Sequence, residues 1–252
     1  TPRIKKLVVP SGAVTNVIGS GAVGNVEGTG TAAKLNAPKG LCSDGTNLYT
    51  TDTFNHNIRK TVVATGVTTT VAGMSEGGDW GGSSVNDTGT AARLHYVGGL
   101  TSDGTYLYIA EGSGPIKKAT LSGGVVTNLA SLSDVSPATP YALSYDSTGG
   151  CLYGASSSGH SIFRTVTGDT TTAASTLIAG PPRAADDGAH AYEWGSIDGT
   201  GSDSRFHGPY GLTNDGTYIY VADSYAGADG LSTNGNGRIR KIAAVSGSLC
   251  SA

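Results

Sequence analysis

The chain has 252 residues, enough to bury a sizeable core as one large all-β domain or as two ordinary ones. Its net charge of −3 gives no electrostatic case for a nucleic-acid partner, and no apolar run approaches the roughly 20 residues that a membrane helix needs. Charged residues are only 14% and glycines number 40, the composition of many tight turns joining many short strands.

In chain order the elements fall into four recurring kinds. RIKK (3–6) and VTNVIG (14–19) come first. KGLCSD (39–44) then runs through an Asp-Gly turn into LYTTD (48–52), followed by NIRK (57–60) and TTTVAG (68–73). The same order returns as VGGLTSD (97–103), LYIAE (107–111), PIKK (115–118) and VVTNLA (125–130). It returns again as PYALSYD (140–146), LYGAS (152–156), SIFR (161–164) and STLIAG (175–180), and last as PYGLTND (209–215), IYVAD (219–223) and RIRK (238–241). These runs are named a, b, c and d. Each holds four to seven residues, and β-branched and aromatic residues recur through them. Asp-Gly between apolar runs is a hairpin signal, because glycine accepts the positive φ of a tight turn. No stretch keeps a 3.6-residue apolar period, so helix is not expected.

Four short antiparallel strands repeated in fixed order are the blades of a β-propeller, in which each blade covers its neighbour's face. The expectation is an all-β single domain over 1–252. It has complete blades at 39–73, 97–130 and 140–180, with partial blades at 3–19 (c-d) and 209–247 (a-b-c). If the ends join, the ring has four blades, and RIKK (3–6) is left as a duplicate of RIRK (238–241). The spare strand predicts either a piece cut from a longer repeat protein or terminal strands that pair between molecules, head to tail into a filament. Thr1 in place of an initiator Met also points to processing or a fragment.

The string DGTGSDSRFHGPYGLTNDGTYIYVADS…NGRIRKI (198–242) resembles an NHL repeat, and EGTGTAAKLNAPKGL (27–41) and NDTGTAARLHYVGGL (86–100) repeat its lead. The likeness weakens over 131–180, where the lead is missing and LYGAS lacks the acidic ending. The resemblance implies a propeller scaffold whose members include lyases, extracellular sensor domains and protein- or RNA-binding modules, so it names no activity.

The long loops join d to a (20–38, 74–96, 181–208) and b to c (224–237), all on one face of such a disc. Long loops on a rigid scaffold are where binding concentrates. Trp80, Tyr192, Trp194 and Arg183 lie there and are read as a surface for a protein or glycan. The four d–a segments, counting 131–139 with those three, hold ten acids against four bases, the wrong sign for nucleic acid. Asp186, Asp187, His190 and Glu193 also fit a Ca²⁺ or Zn²⁺ ligand set, although an acidic solvated loop explains the same letters; no cofactor is otherwise implied.

Asp52, Glu111 and Asp223 close the b strands and are read as accepting backbone N–H bonds of the following turn. His95 and His207 share a repeat position with Asn36, a structural rather than catalytic pattern. Of 16 Lys and Arg residues, 11 sit in the c strands. Cys42 and Cys151 lie in strand-like runs and are read as buried thiols, and Cys250 in the tail is available to another molecule. Asn86-Asp87-Thr88 is a glycosylation sequon, which points to an extracellular, secreted protein. Two functions fit: a non-catalytic extracellular recognition or assembly module, favoured by the absence of a catalytic constellation, and a metal-dependent propeller enzyme, a lyase or lactonase-like hydrolase.

Overall fold

The computed structural model describes residues 1–75, 84–112, 114–132, 139–168, 173–181, 195–223 and 237–243. The chain divides into two compact units, Thr1–Ile109 with Lys118–Thr127 and Ala110–Lys117 with Asn128–Ala252. No α-helix occurs among the described residues, only short 3-10 turns.

The first unit opens with a hairpin, β1 (Ile4–Val8) and β2 (Ala13–Ile18), whose register runs Lys5↔Asn16, Lys6↔Thr15, Leu7↔Val14. A lead strand β3 (Gly28–Thr29) enters the first blade, β4 (Pro38–Ser43), β5 (Asn47–Asp52), β6 (Asn57–Val62) and β7 (Val67–Gly73), in the order β3-β7-β6-β5-β4. The second blade, β8 (Val97–Ser102), β9 (Tyr106–Glu111), β10 (Ile116–Thr120) and β11 (Val126–Ser131), follows in sequence order and contributes to both units. The core of the first unit gathers Tyr49, Ile58, Leu100, Leu107 and Ile109.

In the second unit the third blade is β12 (Pro140–Asp146), β13 (Cys151–Ser156), β14 (Ser161–Val166) and β15 (Ala173–Ala179). Here β11 also meets β15 in parallel at Ala130↔Ala173. A last sheet holds β16 (Pro209–Asn214), β17 (Tyr218–Asp223) and β18 (Arg238–Ala243). Tyr153, Phe163, Phe206, Ile219 and Val221 are buried there.

Within each unit the a strands of successive blades lie side by side. Gly40 has no room for a Cβ, which would fall 2.6 Å from the Gly98 carbonyl oxygen, and Thr51 Oγ1 donates to that same oxygen at 2.8 Å. In the second unit Asn214 Nδ2 donates to Ser144 Oγ at 2.8 Å and to the Tyr145 carbonyl at 3.0 Å.

The recurring Asp-Gly phrase has a local cause. Asp44 Oδ1 accepts the N–H groups of Thr46 and Asn47, while its Oδ2 accepts the Tyr49 hydroxyl at 2.9 Å. Asp103 does the same with Thr105, Tyr106 and Tyr108, and Asp215 with Thr217, Tyr218 and Tyr220. Gly45, Gly104 and Gly216 take φ of 89°, 89° and 83°. A carboxylate that caps the turn, a glycine that permits it and a tyrosine five residues on form one device, which explains why the words travel together.

Two of the strand-closing acids, Asp52 and Asp223, take a backbone N–H from the lead. Asp52 Oδ1 accepts the Asn36 N–H at 2.5 Å and Asp223 Oδ1 the His207 N–H at 2.7 Å, each from the lead sixteen residues upstream, and Asp52 Oδ2 accepts the Asn55 side-chain amide of the following turn at 2.7 Å. The lead packs over the strand end, so at Asp52 a tertiary backbone donor and a side-chain donor of the local turn share one carboxylate. These acids also meet a c-strand cation. Lys117 lies 3.7 Å from Glu111, Arg240 lies 3.3 Å from Asp223, and buried Arg59 acts on Asp52. Burial drives the Asp52 carboxyl up to about 6, against the bonds from Asn36 and Asn55 and the Arg59 charge.

Cys42 is a free thiol, pushed up to about 12 by burial and the Asp44 charge. Cys151 is disulfide-bonded, which corrects the reading of a buried thiol. Apolar strand surroundings could not distinguish the two.

Candidate functional site

The b–c turn of the first blade is a 3-10 turn, Thr53–Asn55, ending at His56 in the left-handed region with φ 56°. It meets the end of the d–a segment that enters the second blade. Tyr96, also at positive φ (44°), donates its N–H to His56 Nδ1 at 3.1 Å. The rings then assemble around that bond. His56 and His95 stack with centroids 5.8 Å apart, Tyr96 stands edge-on to His56 at 4.9 Å and to His95 at 4.6 Å, and Phe54 closes on Tyr96 at 6.2 Å. Phe54 and Tyr96 are each 42% exposed. Two outward aromatic rings thus lie on a platform of two imidazoles, held by backbone conformations that a non-glycine residue keeps only when its surroundings fix them.

Because Nδ1 accepts a backbone N–H, the neutral His56 carries its proton on Nε2. Burial, followed by the nearby His95, lowers the His56 pKa below the ordinary histidine value. The imidazole is therefore neutral at pH 7, with its Nδ1 lone pair already engaged, and is suited to supporting a surface rather than abstracting a proton.

The second unit repeats the frame without the aromatic cover. Gly208 donates its N–H to His160 Nδ1 at 3.1 Å, and His160 and His207 lie 5.9 Å apart. Ser158 and Gly208 stand where Phe54 and Tyr96 stand in the first unit. Burial and then His207 lower the His160 pKa, while Asp223 opposes them. Tyr141 and Tyr210, on neighbouring a strands, make an edge-on pair at 4.8 Å.

Trp80, Arg183, Asp186, Asp187, His190, Tyr192, Glu193 and Trp194 lie outside the described residues. Asn86 is described and exposed. Among the described residues no group of three or more His, Cys, Asp or Glu is placed to hold a metal ion, and no helix is long and apolar enough to cross a membrane. Sequence reasoning passed over Phe54, His56 and Tyr96. The signal was the paired F-N-H (54–56) and H-Y (95–96), at the b–c and d–a positions of adjacent blades.

Several solved structures share the fold of this chain. One is a nidogen/laminin complex, matched at TM-score 0.56 and 15% identity over 88% of this chain and 64% of that one. The chain has a β-propeller fold. Virginiamycin B lyase from Staphylococcus aureus matches at TM-score 0.51 and 12% identity over 96% of this chain and 62% of that one. A streptogramin B lyase matches at 0.52 and 15%, covering 87% and 69%. This chain spans less than two thirds of the length of the first two propellers, and at these identities the likeness shows the fold alone. No protein-family model and no curated protein matches the chain.

Proposed function

We propose that this propeller, built from NHL-like repeats, is a non-catalytic extracellular recognition module that binds a protein or glycan on the face carrying its b–c and d–a loops. The observation that carries the reading is the Phe54–His56–His95–Tyr96 platform. Exposed rings on a fixed base give a ligand large contact area at little entropic cost, and the Tyr hydroxyl adds a polar handle. Trp80, Tyr192, Trp194 and Arg183, which the repeat order of the sequence assigns to loops of the same class, are further candidates for ligand contact. The disulfide at Cys151 and the exposed sequon at Asn86 support an oxidising, secretory environment. One propeller of this fold was solved in a complex with laminin, which supports a protein ligand.

The test is a glycan array and a panel of purified extracellular-matrix proteins, probed with the wild type and with a Phe54→Ala/Tyr96→Ala variant. Binding should be lost while the melting temperature stays unchanged; full binding by the variant would move the site elsewhere. The enzyme reading draws support from the two lyases of the same fold. A stoichiometric Ca²⁺ or Zn²⁺ in the purified protein, bound through Asp186, Asp187 and His190, would put it first.

A further inference from the structure

The last blade presents a seat for one more strand. In the first blade β7 is held on both sides, by β6 along its length and by the lead through Gly28↔Thr68 and Thr29↔Val67. The Gly30 N–H extends this second edge to the Gly66 carbonyl at 2.9 Å. The second blade repeats it, with a Thr88↔Val125 bridge and a Gly89 N–H to Gly124 carbonyl bond of 3.0 Å. The last blade has the same two borders, β18 and lead residues Gly199 and Thr200, and among the described residues no strand pairs with the outer edge of β18. A cavity of about 630 Å³ lies there, lined by Thr200 of the lead, Ile178 and Phe206, and by Arg240 and Ile242 of β18. Ile239 on β18 is 75% exposed.

We propose that this seat receives β2 of a second copy of the chain. Charge selects the kind of strand. Every c strand here is basic, and every d strand (AVTNVI, VTTTVAG, VTNLAS, AASTLIA) is uncharged. A further basic strand against β18 would set like charges opposite one another. Sequence selects which d strand: the present partner of β2 reads Ile4-Lys5-Lys6-Leu7, and β18 reads Ile239-Arg240-Lys241-Ile242. The β1–β2 register therefore carries over with Asn16 opposite Arg240, Thr15 opposite Lys241 and Val14 opposite Ile242.

Burial supplies the drive. Val14 is 57% exposed, whereas Thr68, its repeat counterpart in a completed blade, is 1% exposed. Exchanging β1 for β18 re-forms the ladder bonds it breaks, and the second border adds bonds to residues 199 and 200. Each copy offers one donor and one seat, so the contact is heterologous and propagates unless a ring closes it.

The experiment uses the full 252-residue chain. A Thr15→Cys/Lys241→Cys variant in a Cys42→Ser background, oxidised and run without reductant, should give cross-linked dimers and higher species. Light scattering of the unsubstituted chain should show a concentration-dependent mass at least double the monomer's. A peptide of residues 12–19 should bind the chain and reduce that mass to the monomer's, and the same peptide with Asn16→Pro should do neither. A cross-link confined to monomers would mean that β2 closes on its own chain and would overturn the proposal. A strictly monomeric chain that ignores the peptide would overturn it equally.

Discussion

Phe163 lies directly across the sheet from Gly154, and the missing Cβ of that glycine is what leaves room for the ring. In the other blades this pair is Thr50 with Arg59 and Val221 with Arg240. The third blade also has Ser156 where Asp52, Glu111 and Asp223 stand. Cation and anion have been lost together, and an aromatic ring over a glycine fills the space. Phe163→Arg alone should therefore bury an unpaired charge and destabilise by about 3–5 kcal/mol. Adding Ser156→Asp should recover at least half of that loss in urea unfolding. Additive effects of the two substitutions would remove the pairing account.

Two carboxylates hold Arg240, and their environments differ. Asp223 has a side-chain exposure of 1% and Asp198 of 97%. Asp223→Ala leaves a nearly buried guanidinium without its inner partner and the His207 N–H without its acceptor, so a loss of about 3–5 kcal/mol is expected. Asp198→Ala, which removes an exposed bond screened by water, should change stability by less than about 1 kcal/mol. Chemical denaturation of the two single variants makes the comparison.

Between pH 7 and pH 4 two kinds of group oppose each other. His56 and His160 titrate below their ordinary 6.5 in the folded chain, so the unfolded chain binds more protons and stability falls as pH drops below about 6.5. Asp52 is raised from 3.8 to about 6. There the folded chain binds more protons, so its contribution grows as pH falls from 6 towards 3.8 and is lost as pH rises through 6. Asp52→Asn should accordingly make acid destabilisation steeper over this window. Melting curves taken at intervals from pH 7 to 4 check the sign, and proton NMR should show two imidazoles titrating below 6.5.

The strands and their order were legible because each signal is local. Period-2 apolar runs and an Asp-Gly turn need only neighbouring residues. Pairings across long sequence distances were not legible. Asp52 looked like a turn cap, but its partner N–H is on Asn36, delivered by packing of the lead. The platform was missed for the same reason, since His56 and Tyr96 are 40 residues apart and meet only once two blades lie side by side. Phe54 in isolation reads as an ordinary turn residue.

The cysteines should separate in a single alkylation experiment. Cys42, with its thiol near 12, should react slowly with iodoacetamide at neutral pH. Cys151 should add no mass until the protein is reduced. Rapid labelling of Cys151 without reductant would contradict the bond and weaken the case for a secretory environment.

The turn tyrosines also give this protein a built-in optical gauge. Burial and the hydrogen bond to Asp44 push the Tyr49 hydroxyl up to about 12. Burial and the Asp146 charge raise Tyr153, and the bond to Asp215 raises Tyr220. In an alkaline titration followed by ultraviolet absorbance, exposed phenols ionise first, near 10. The late fraction then counts turns that are still closed, and its collapse onto the early fraction marks the pH at which the hairpins open.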